Sequence, residues 1–263
     1  MKLGAIILLT LIAVAVFAPY LAPHPPARQV LGDRLSPPGS PGYLLGTDAY
    51  GRDILSRMIY GARISLQVGI TAVSIAVISG SVVGLLAGYY GGWFDLLVMR
   101  VVDVMLAFPT ILMALAFIAI LGPALMNVMI AVGVTMSPHY ARVVRSSVLS
   151  LREKEFTEAA RAAGARDFRI MFQHIMLNSL TPIMVMATLG AGTAILVEAS
   201  LSFLGLGVPP PTPTWGITIS EGRRWLMTAP WVSLVPGVAI MITVLGLNLL
   251  GDGLRDTLDP RIQ

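Results

Sequence analysis

The 263-residue chain is too apolar for an ordinary soluble protein, since 56% of its residues are hydrophobic, 12% are charged and its mean hydropathy is +0.79. Soluble globular proteins carry about 25% charged residues, so the composition excludes a disordered chain and argues against a soluble enzyme. The net charge of +4 comes mainly from arginines between apolar runs, which favours orientation in a membrane over nucleic-acid binding. Without cysteine, the chain has no disulfide, thiolate metal site or catalytic thiol.

The gaps between charged residues predict where membrane helices lie. A span needs about 20 apolar residues, and long uncharged stretches follow Lys2, Arg63, Asp103 and Arg224. The stretch after Asp103 is too long for one span and is interrupted at Leu121-Gly122-Pro123, so it predicts two helices joined by a tight turn. We expect an all-α integral membrane protein with six transmembrane helices, at about 3–22, 65–88, 97–121, 125–145, 178–203 and 230–250.

The distribution of arginine and lysine predicts the orientation of these helices. The connection after the fourth helix carries five basic residues between Arg152 and Arg169, which places it in the cytoplasm together with the N- and C-termini. Segments 23–64 and 204–229 then face outward, although they hold seven arginines. The first apolar run extends to Ala22, so we interpret it as a retained helix rather than a cleaved signal peptide.

Three features within the predicted helices have both a packing and a functional interpretation. Glu198 is an ionisable residue inside a predicted span, so it is a candidate for lining a translocation path; alternatively, the span ends there and Glu198 contacts outer water. Arg100 and Asp103 are three residues apart and are expected to pair. The second helix has a smooth face that suits packing within this subunit and contact with a partner subunit equally well, formed by Ala76, Gly80, Gly84 and Gly88.

The predicted cytoplasmic connection contains two short helices. Helix-forming residues run from Arg152 to Ala163, and Gly164 is a natural helix stop. Asp167 is expected to cap a second helix that begins near Phe168. The result is a helix-turn-helix projection outside the membrane, and composition alone favours an amphipathic segment that lies on anionic lipid.

The sequence Glu158-Ala159-Ala160, followed after three residues by Gly164, resembles the "EAA" loop of the membrane subunits of type I binding-protein-dependent ABC importers. In that family the motif ends in Leu-Pro, whereas this chain has Met176-Leu177, and Pro182 is expected to supply the break instead. The family's loop docks on the ATP-binding subunit. The resemblance therefore implies an ATPase-coupling role for Glu158, Ala159, Ala160, Arg161, Ala163, Gly164, Ala165 and Arg166.

Three further regions narrow this resemblance to one type of subunit. The segment 45–57 looks like the external signature of the "C" permease subunit of dipeptide, oligopeptide and nickel importers, and 203–216 and 248–260 resemble that subunit's external loop and tail. The signature residues are Gly46, Thr47, Asp48, Gly51, Arg52 and Asp53. The resemblance implies a type I permease fold with three parts: an N-terminal helix plus external segment (1–63), a five-helix core that includes the coupling loop at about 146–177 (64–252), and a cytoplasmic tail (253–263).

The resemblance also implies the function and the partners. The chain is expected to be a permease subunit in the bacterial or archaeal cytoplasmic (inner) membrane, in contact with lipid. It would form a translocation path with a homologous second permease, two ATP-binding subunits and an extracytoplasmic solute-binding protein. Di- or oligopeptides are the expected cargo, with nickel or a metal chelate as the alternative.

The sequence gives this chain no catalytic or cofactor chemistry of its own. Its only lysines, Lys2 and Lys154, lie outside any phosphate-binding loop, so ATP and Mg²⁺ are expected on the partner subunits alone. The three histidines are scattered, so no metal site is indicated. A secondary transporter or channel is the alternative of another class. It would need internal repeats or a proton relay, for which Glu198 is nearly the only candidate.

Overall fold

The computed structural model describes residues 2–258, and within that range the chain is helical and contains no β-strand, as predicted. A π-helical segment (Ile170–Met176) follows α8, and two 3-10 turns lie at Leu31–Asp33 and Arg223–Trp225. The last five residues of the predicted tail, 259–263, lie outside the described range. The α-helices are α1 (Lys2–Val16), α2 (Ala18–Leu21), α3 (Ile54–Tyr90), α4 (Gly92–Ala107), α5 (Thr110–Leu121), α6 (Leu125–Arg152), α7 (Glu155–Ala162), α8 (Asp167–Arg169), α9 (Leu180–Phe203), α10 (Trp215–Gly222) and α11 (Trp231–Leu258).

Several helices have the length and composition of membrane spans. α3, α9 and α11 are each long and apolar enough to cross a bilayer, and the bent pair α4–α5 would make a fourth span. α1 is a shorter apolar helix. Large apolar side chains cover the outside of the bundle, including Leu9 at 66%, Ile78 at 66% and Ile120 at 83% exposure. Such a surface suits lipid or a partner subunit rather than water.

The prediction of one straight helix over 97–121 is wrong. The chain bends by 98° between α4 and α5, and Phe108 at the bend is extended, with φ −91° and ψ 139°. Pro109 explains the break, because a proline disfavours helical geometry in the residue before it and has no N–H to donate. The predicted turn at residues 121–123 is present and has Gly122 at φ +86°.

The predicted Arg100–Asp103 pair is also wrong. Asp103 accepts a hydrogen bond from Arg142 of α6 at 2.6 Å instead, and Asp95 pairs with Arg145 one turn further along α6. The sequence separation in the pair with Arg142 is 39 residues. Local spacing on α4 therefore could not reveal that α6 supplies the basic partners.

Three helices are longer than predicted, and one of them, α11, continues to Leu258 into the predicted tail. α3 begins at Ile54 rather than residue 65, because the Asp53 carboxylate accepts from the Ser56 backbone N–H at 2.9 Å and caps the helix. The boundary placed at residue 63 consequently falls within α3. α6 continues to Arg152, so the coupling loop predicted over 146–177 begins inside this helix.

α3 and α6 run parallel and pack closely along the predicted small-residue face of α3. Ala76 is fully buried there. A Cβ added to Gly88 would lie 2.9 Å from the Cβ of Val148, and a Cβ on Gly80 or Gly84 would collide with backbone atoms of α6. Small residues thus let the two backbones approach within this chain.

The helix directions give the bundle two distinct ends. α1 runs antiparallel to α11, and a Cβ on Gly4 would lie 2.7 Å from the Gly246 carbonyl oxygen. Segments 22–53 and 204–230 meet at one end, which we call the cluster end. Residues 153–179, which we call the coupling segment, lie at the other end of the bundle, next to the last turn of α3. We call this end the coupling end.

Candidate functional site

The coupling segment is built around a tight glycine turn. α7 ends at Ala162, and Gly164 has φ +83°, the left-handed conformation that glycine adopts without strain. The Gly164 N–H donates to the Arg161 carbonyl oxygen at 3.0 Å, and the Ala165 N–H donates to the Ala160 carbonyl oxygen at 3.0 Å. This pair of bonds is the Schellman motif, which satisfies carbonyls that the end of a helix leaves free. The spacing between Ala160 and Gly164 therefore suits the two hydrogen bonds that close this turn.

One face of the coupling segment is anchored to the bundle. Thr157 is fully buried, and its hydroxyl donates to the Leu151 carbonyl oxygen at 2.8 Å. Ala160 and Ala165 are half-buried and pack on an apolar cluster at the coupling end, which contains Leu85, Tyr89, Val144, Val148, Ile170, Met171, Ile175 and Ile183. Small side chains at these two positions allow the turn to lie close to α3 and α6.

The other predicted coupling residues form an exposed face: Glu158, Ala159, Arg161, Ala163, Gly164 and Arg166. The structure describes no neighbour within 4 Å of the position where a Gly164 side chain would begin. The expectation that Asp167 caps a helix starting near Phe168 is wrong by one residue, because α8 begins at Asp167 itself. The Asp167 carboxylate instead accepts from the Tyr89 hydroxyl of α3 at 2.6 Å.

The helix break before α9 lies three residues before Pro182 rather than at Leu177. Leu177 is helical, with φ −60° and ψ −38°, so the chain continues through this position. The break comes at Ser179, whose hydroxyl donates to the Ile175 carbonyl oxygen at 3.0 Å, and Asn178 donates to that of His174. Pro182 lies in the first turn of α9, where a missing N–H leaves no helix bond unmade.

At the cluster end, the signature residues fold a compact loop before α3. Gly46 and Gly51 have positive φ values of 75° and 70°, and both lie against backbone atoms of the preceding segment. The Thr47 N–H donates to the Ser36 carbonyl oxygen at 3.0 Å, and the Trp231 indole donates to the Thr47 carbonyl oxygen at 3.2 Å. The signature therefore ties the start of α11 to the loop before α3.

Four charged side chains form an ionic cluster beneath this loop. Arg52 donates to Asp48 at 2.6 Å and also donates to Glu221 of α10. Arg57 donates to Glu221 at 3.2 Å. Arg57 is 1% exposed and Asp48 is 1% exposed. The two arginines and two carboxylates carry no net charge together, which makes their burial tolerable.

Glu221 was not among the residues predicted from the sequence, because its partner Arg52 is 169 residues away. Glu221 is the single acidic residue of segment 204–229, among two arginines, and that isolation is the signal that could have identified it. Arg52 and Arg57, two of the seven arginines on the predicted outer side, are paired within the ionic cluster. A neighbouring cavity of about 440 Å³ has two exposed arginines, Arg34 and Arg224, in its wall.

Glu198 is enclosed by this chain. It lies five residues before the end of α9, is 1% exposed, and accepts from the Ser202 hydroxyl at 2.7 Å. The alternative that the span ends at Glu198 and exposes it to water does not match this burial. Its place on a translocation path stays a prediction.

The structure thus places the predicted residues in separate regions rather than one site. The coupling residues lie at one end of the bundle and the signature residues lie at the other. The small residues from Ala76 to Gly88 pack α3 against α6. Within residues 2–258, no group of three or more histidine, aspartate and glutamate side chains is arranged to hold a metal ion.

Comparison with known families gives two matches, which leave residues 39–79 unmatched. Residues 80–263 match the family described as "Binding-protein-dependent transport system inner membrane component". Residues 2–38 match the N-terminal transmembrane domain of oligopeptide transport permease C.

Individual relatives are similar over nearly the full chain. A dipeptide transport system permease protein from Alkalihalophilus pseudofirmus is 52% identical over 99% of this chain and 85% of the relative. A di/tripeptide transport system permease protein from Pseudomonas aeruginosa is 44% identical over 99% of this chain and 88% of the relative. A glutathione transport system permease protein from Pectobacterium atrosepticum is 46% identical over 99% and 86%.

A solved structure has the same fold. A chain of the MetNI methionine ABC transporter, in an inward-facing conformation, aligns with a TM-score of 0.64 at 19% identity. The alignment covers 77% of this chain and 96% of the transporter chain.

Proposed function

The chain belongs to the binding-protein-dependent family of ABC-importer inner-membrane permeases, and we propose that its cargo is di- or oligopeptides. It is a multi-pass permease subunit of the inner membrane. The observation that supports a peptide cargo is the 52% identity, over 99% of this chain, to a dipeptide permease. Nickel and metal chelates are not favoured, since the similar relatives above are named for peptides and glutathione.

The proposed topology has six crossings with both termini in the cytoplasm. Its support is the alternation of helix direction: α1 runs toward the cluster end, α3 away from it, α4–α5 toward it, α6 away, α9 toward and α11 away. This arrangement puts both ends of the described chain at the coupling end. The basic coupling segment marks that end as cytoplasmic by the positive-inside rule.

The coupling segment is the proposed contact for the ATP-binding subunits. Its Schellman turn presents an exposed face next to a face that is anchored to α3 and α6. Movement of a docked ATPase would therefore be passed to the bundle rather than absorbed by a free loop. This chain has no phosphate-binding loop, so ATP and Mg²⁺ belong on the partners.

The cluster end is the proposed docking surface for the solute-binding protein. The ionic cluster ties the signature loop to α10 and fixes the floor of the cavity between Arg34 and Arg224. Exposed arginines on this end offer acidic side chains of a binding protein complementary charge. The translocation path itself is proposed at the interface with a homologous second permease, which the exposed apolar faces of α4 and α5 could contact.

The proposal is tested by reconstituting this chain with its partner permease, ATPase subunits and binding protein in proteoliposomes. Uptake of a labelled dipeptide that requires both ATP and the binding protein is the expected result. Uptake of Ni²⁺ without dipeptide uptake would overturn the cargo. Uptake driven by a proton gradient without ATP would overturn the importer mechanism.

A further inference from the structure

α3 is held by polar contacts at both of its ends. It has 37 residues without a break, so it extends about 55 Å at 1.5 Å per residue. Its first turns lie in the ionic cluster at the cluster end, and its last turn lies against the coupling segment.

The inner contact combines apolar packing with one buried side-chain hydrogen bond. Tyr89 is 8% exposed, and its hydroxyl donates to the Asp167 carboxylate at 2.6 Å. Asp167 lies three residues after Gly164, so this bond joins the glycine turn to α3. Arg152, the last residue of α6, joins that helix to the same turn of α3, because its guanidinium donates to the Gly88 carbonyl oxygen at 3.2 Å.

The outer contact joins α3 to α10. Arg57 donates to Glu221 at 3.2 Å, and the Trp215 indole donates to the Met58 carbonyl oxygen at 3.0 Å. Trp215 is 2% exposed, and a Cβ on Gly61 would lie 2.7 Å from its ring. The start of α10 therefore cannot shift far without moving α3.

The middle of α3 is locked to α6 along the small-residue face, where Gly80 and Gly84 leave no room for an added Cβ. Close packing of this kind transmits displacement rather than absorbing it. A force applied at Tyr89 would therefore move α3 together with α6.

We propose that Tyr89 is a positioning residue through which the coupling segment moves α3, and that α3 carries this movement to the outer ionic cluster and α10. The inference rests on the proposed function, since it requires an ATPase that acts on the coupling segment. It assigns a route from that segment to the docking surface that bypasses α9. Loss of the Tyr89 hydroxyl should uncouple ATP hydrolysis from transport.

The test compares Tyr89→Phe with Tyr90→Phe in the reconstituted importer. Each variant loses one oxygen atom, but Tyr90 is 58% exposed. We expect Tyr89→Phe to lower the amount of dipeptide transported per ATP hydrolysed by about two- to thirtyfold, the range for mutations along a coupling route, while Tyr90→Phe matches the wild type. Equal ratios in both variants would overturn the proposal.

A pair of Asp167 variants separates positioning from structural damage. Asp167→Asn keeps an oxygen that accepts from Tyr89 and should retain coupling, whereas Asp167→Ala should lose it. The double variant Tyr89→Phe with Asp167→Ala should be no worse than Asp167→Ala alone, because both remove the same bond. Additive losses, or equal loss in Asp167→Asn, would overturn the proposal.

A distance measurement tests the rigid movement without removing the bond. The chain has no cysteine, so spin labels can be placed on Arg63→Cys of α3 and Phe168→Cys of the coupling segment, both exposed. The 26 residues from Arg63 to Tyr89 span about 40 Å, which pulsed electron resonance resolves. An unchanged distance between nucleotide-free and vanadate-trapped importer is expected, and a changed distance would overturn the proposal. Failure of the proposed function is distinct, since the wild type itself would then show no ATP-dependent uptake.

Discussion

Replacement of Gly164 tests whether the glycine turn couples ATP hydrolysis to transport. Gly164 has φ +83°, and the structure places no atom within 4 Å of a side chain added there. A substitution therefore strains the backbone without creating a clash inside this chain. A residue with a Cβ pays about 1–2 kcal/mol in the left-handed region, which lowers the population of the turn by a factor of about 5 to 30.

Gly122→Ala is a matched control for this strain. Gly122 has φ +86° and also has no atom within 4 Å of the added Cβ, but it lies between α5 and α6 at the cluster end. We expect Gly164→Ala to reduce ATP-driven dipeptide uptake by about the same 5 to 30-fold factor. Gly122→Ala should retain uptake, although it carries the same strain.

The assay measures uptake, ATPase activity and recovery of the assembled importer in proteoliposomes. Gly164→Asn separates two causes of the loss, because asparagine tolerates the left-handed region better than other side chains. Partial recovery in Gly164→Asn indicates backbone strain, whereas full loss indicates that the ATPase needs a bare backbone at this position. Unchanged uptake in Gly164→Ala, or equal loss in Gly122→Ala, would refute the reasoning.

Three further substitutions test the packing and the buried charges. Glu221→Ala leaves Asp48 as the remaining carboxylate for Arg52 and Arg57 and should destabilise the chain by about 1–3 kcal/mol, seen as a lower unfolding temperature in detergent; an unchanged temperature would contradict the ionic cluster. Gly84→Ala should destabilise the chain by about 1–3 kcal/mol, because the added Cβ would meet the α6 backbone. Gly237→Ala is the control and should not destabilise the chain, because its added Cβ has open space. Equal effects of the two substitutions would contradict the close helix packing. Glu198→Gln should retain uptake, because an amide oxygen still accepts from Ser202, and abolished uptake with normal assembly would favour a proton-relay role.

Local sequence signals predicted the features that depend on local chemistry. The turn at residues 121–123 and the stop at Gly164 follow from Gly and Pro, whose backbone preferences act within a few residues. Pro109 carries the same information, although the uncharged run after Asp103 favoured one continuous helix over 97–121. The start of α3 at Ile54 could likewise be predicted from Asp53 and Ser56, which form its cap.

Partners that are distant in sequence could not be predicted in this way. Asp103 had a basic neighbour on its own helix, yet it pairs with Arg142 of α6, and this choice depends on how two helices cross. The pairing of Arg52 with Glu221 depends on the fold bringing together two loops that are 169 residues apart. Resemblance to a family located the signature and coupling residues, while the contacts that hold them required the structure.

Site-specific photo-cross-linking tests the central claim most directly. A photoreactive residue replaces the exposed Phe156 of α7 in one variant and the exposed Tyr50 of the signature loop in another, within the assembled importer. We expect position 156 to label an ATP-binding subunit and position 50 to label the solute-binding protein. Labelling of lipid alone from position 156, or of an ATP-binding subunit from position 50, would contradict the coupling role and the orientation.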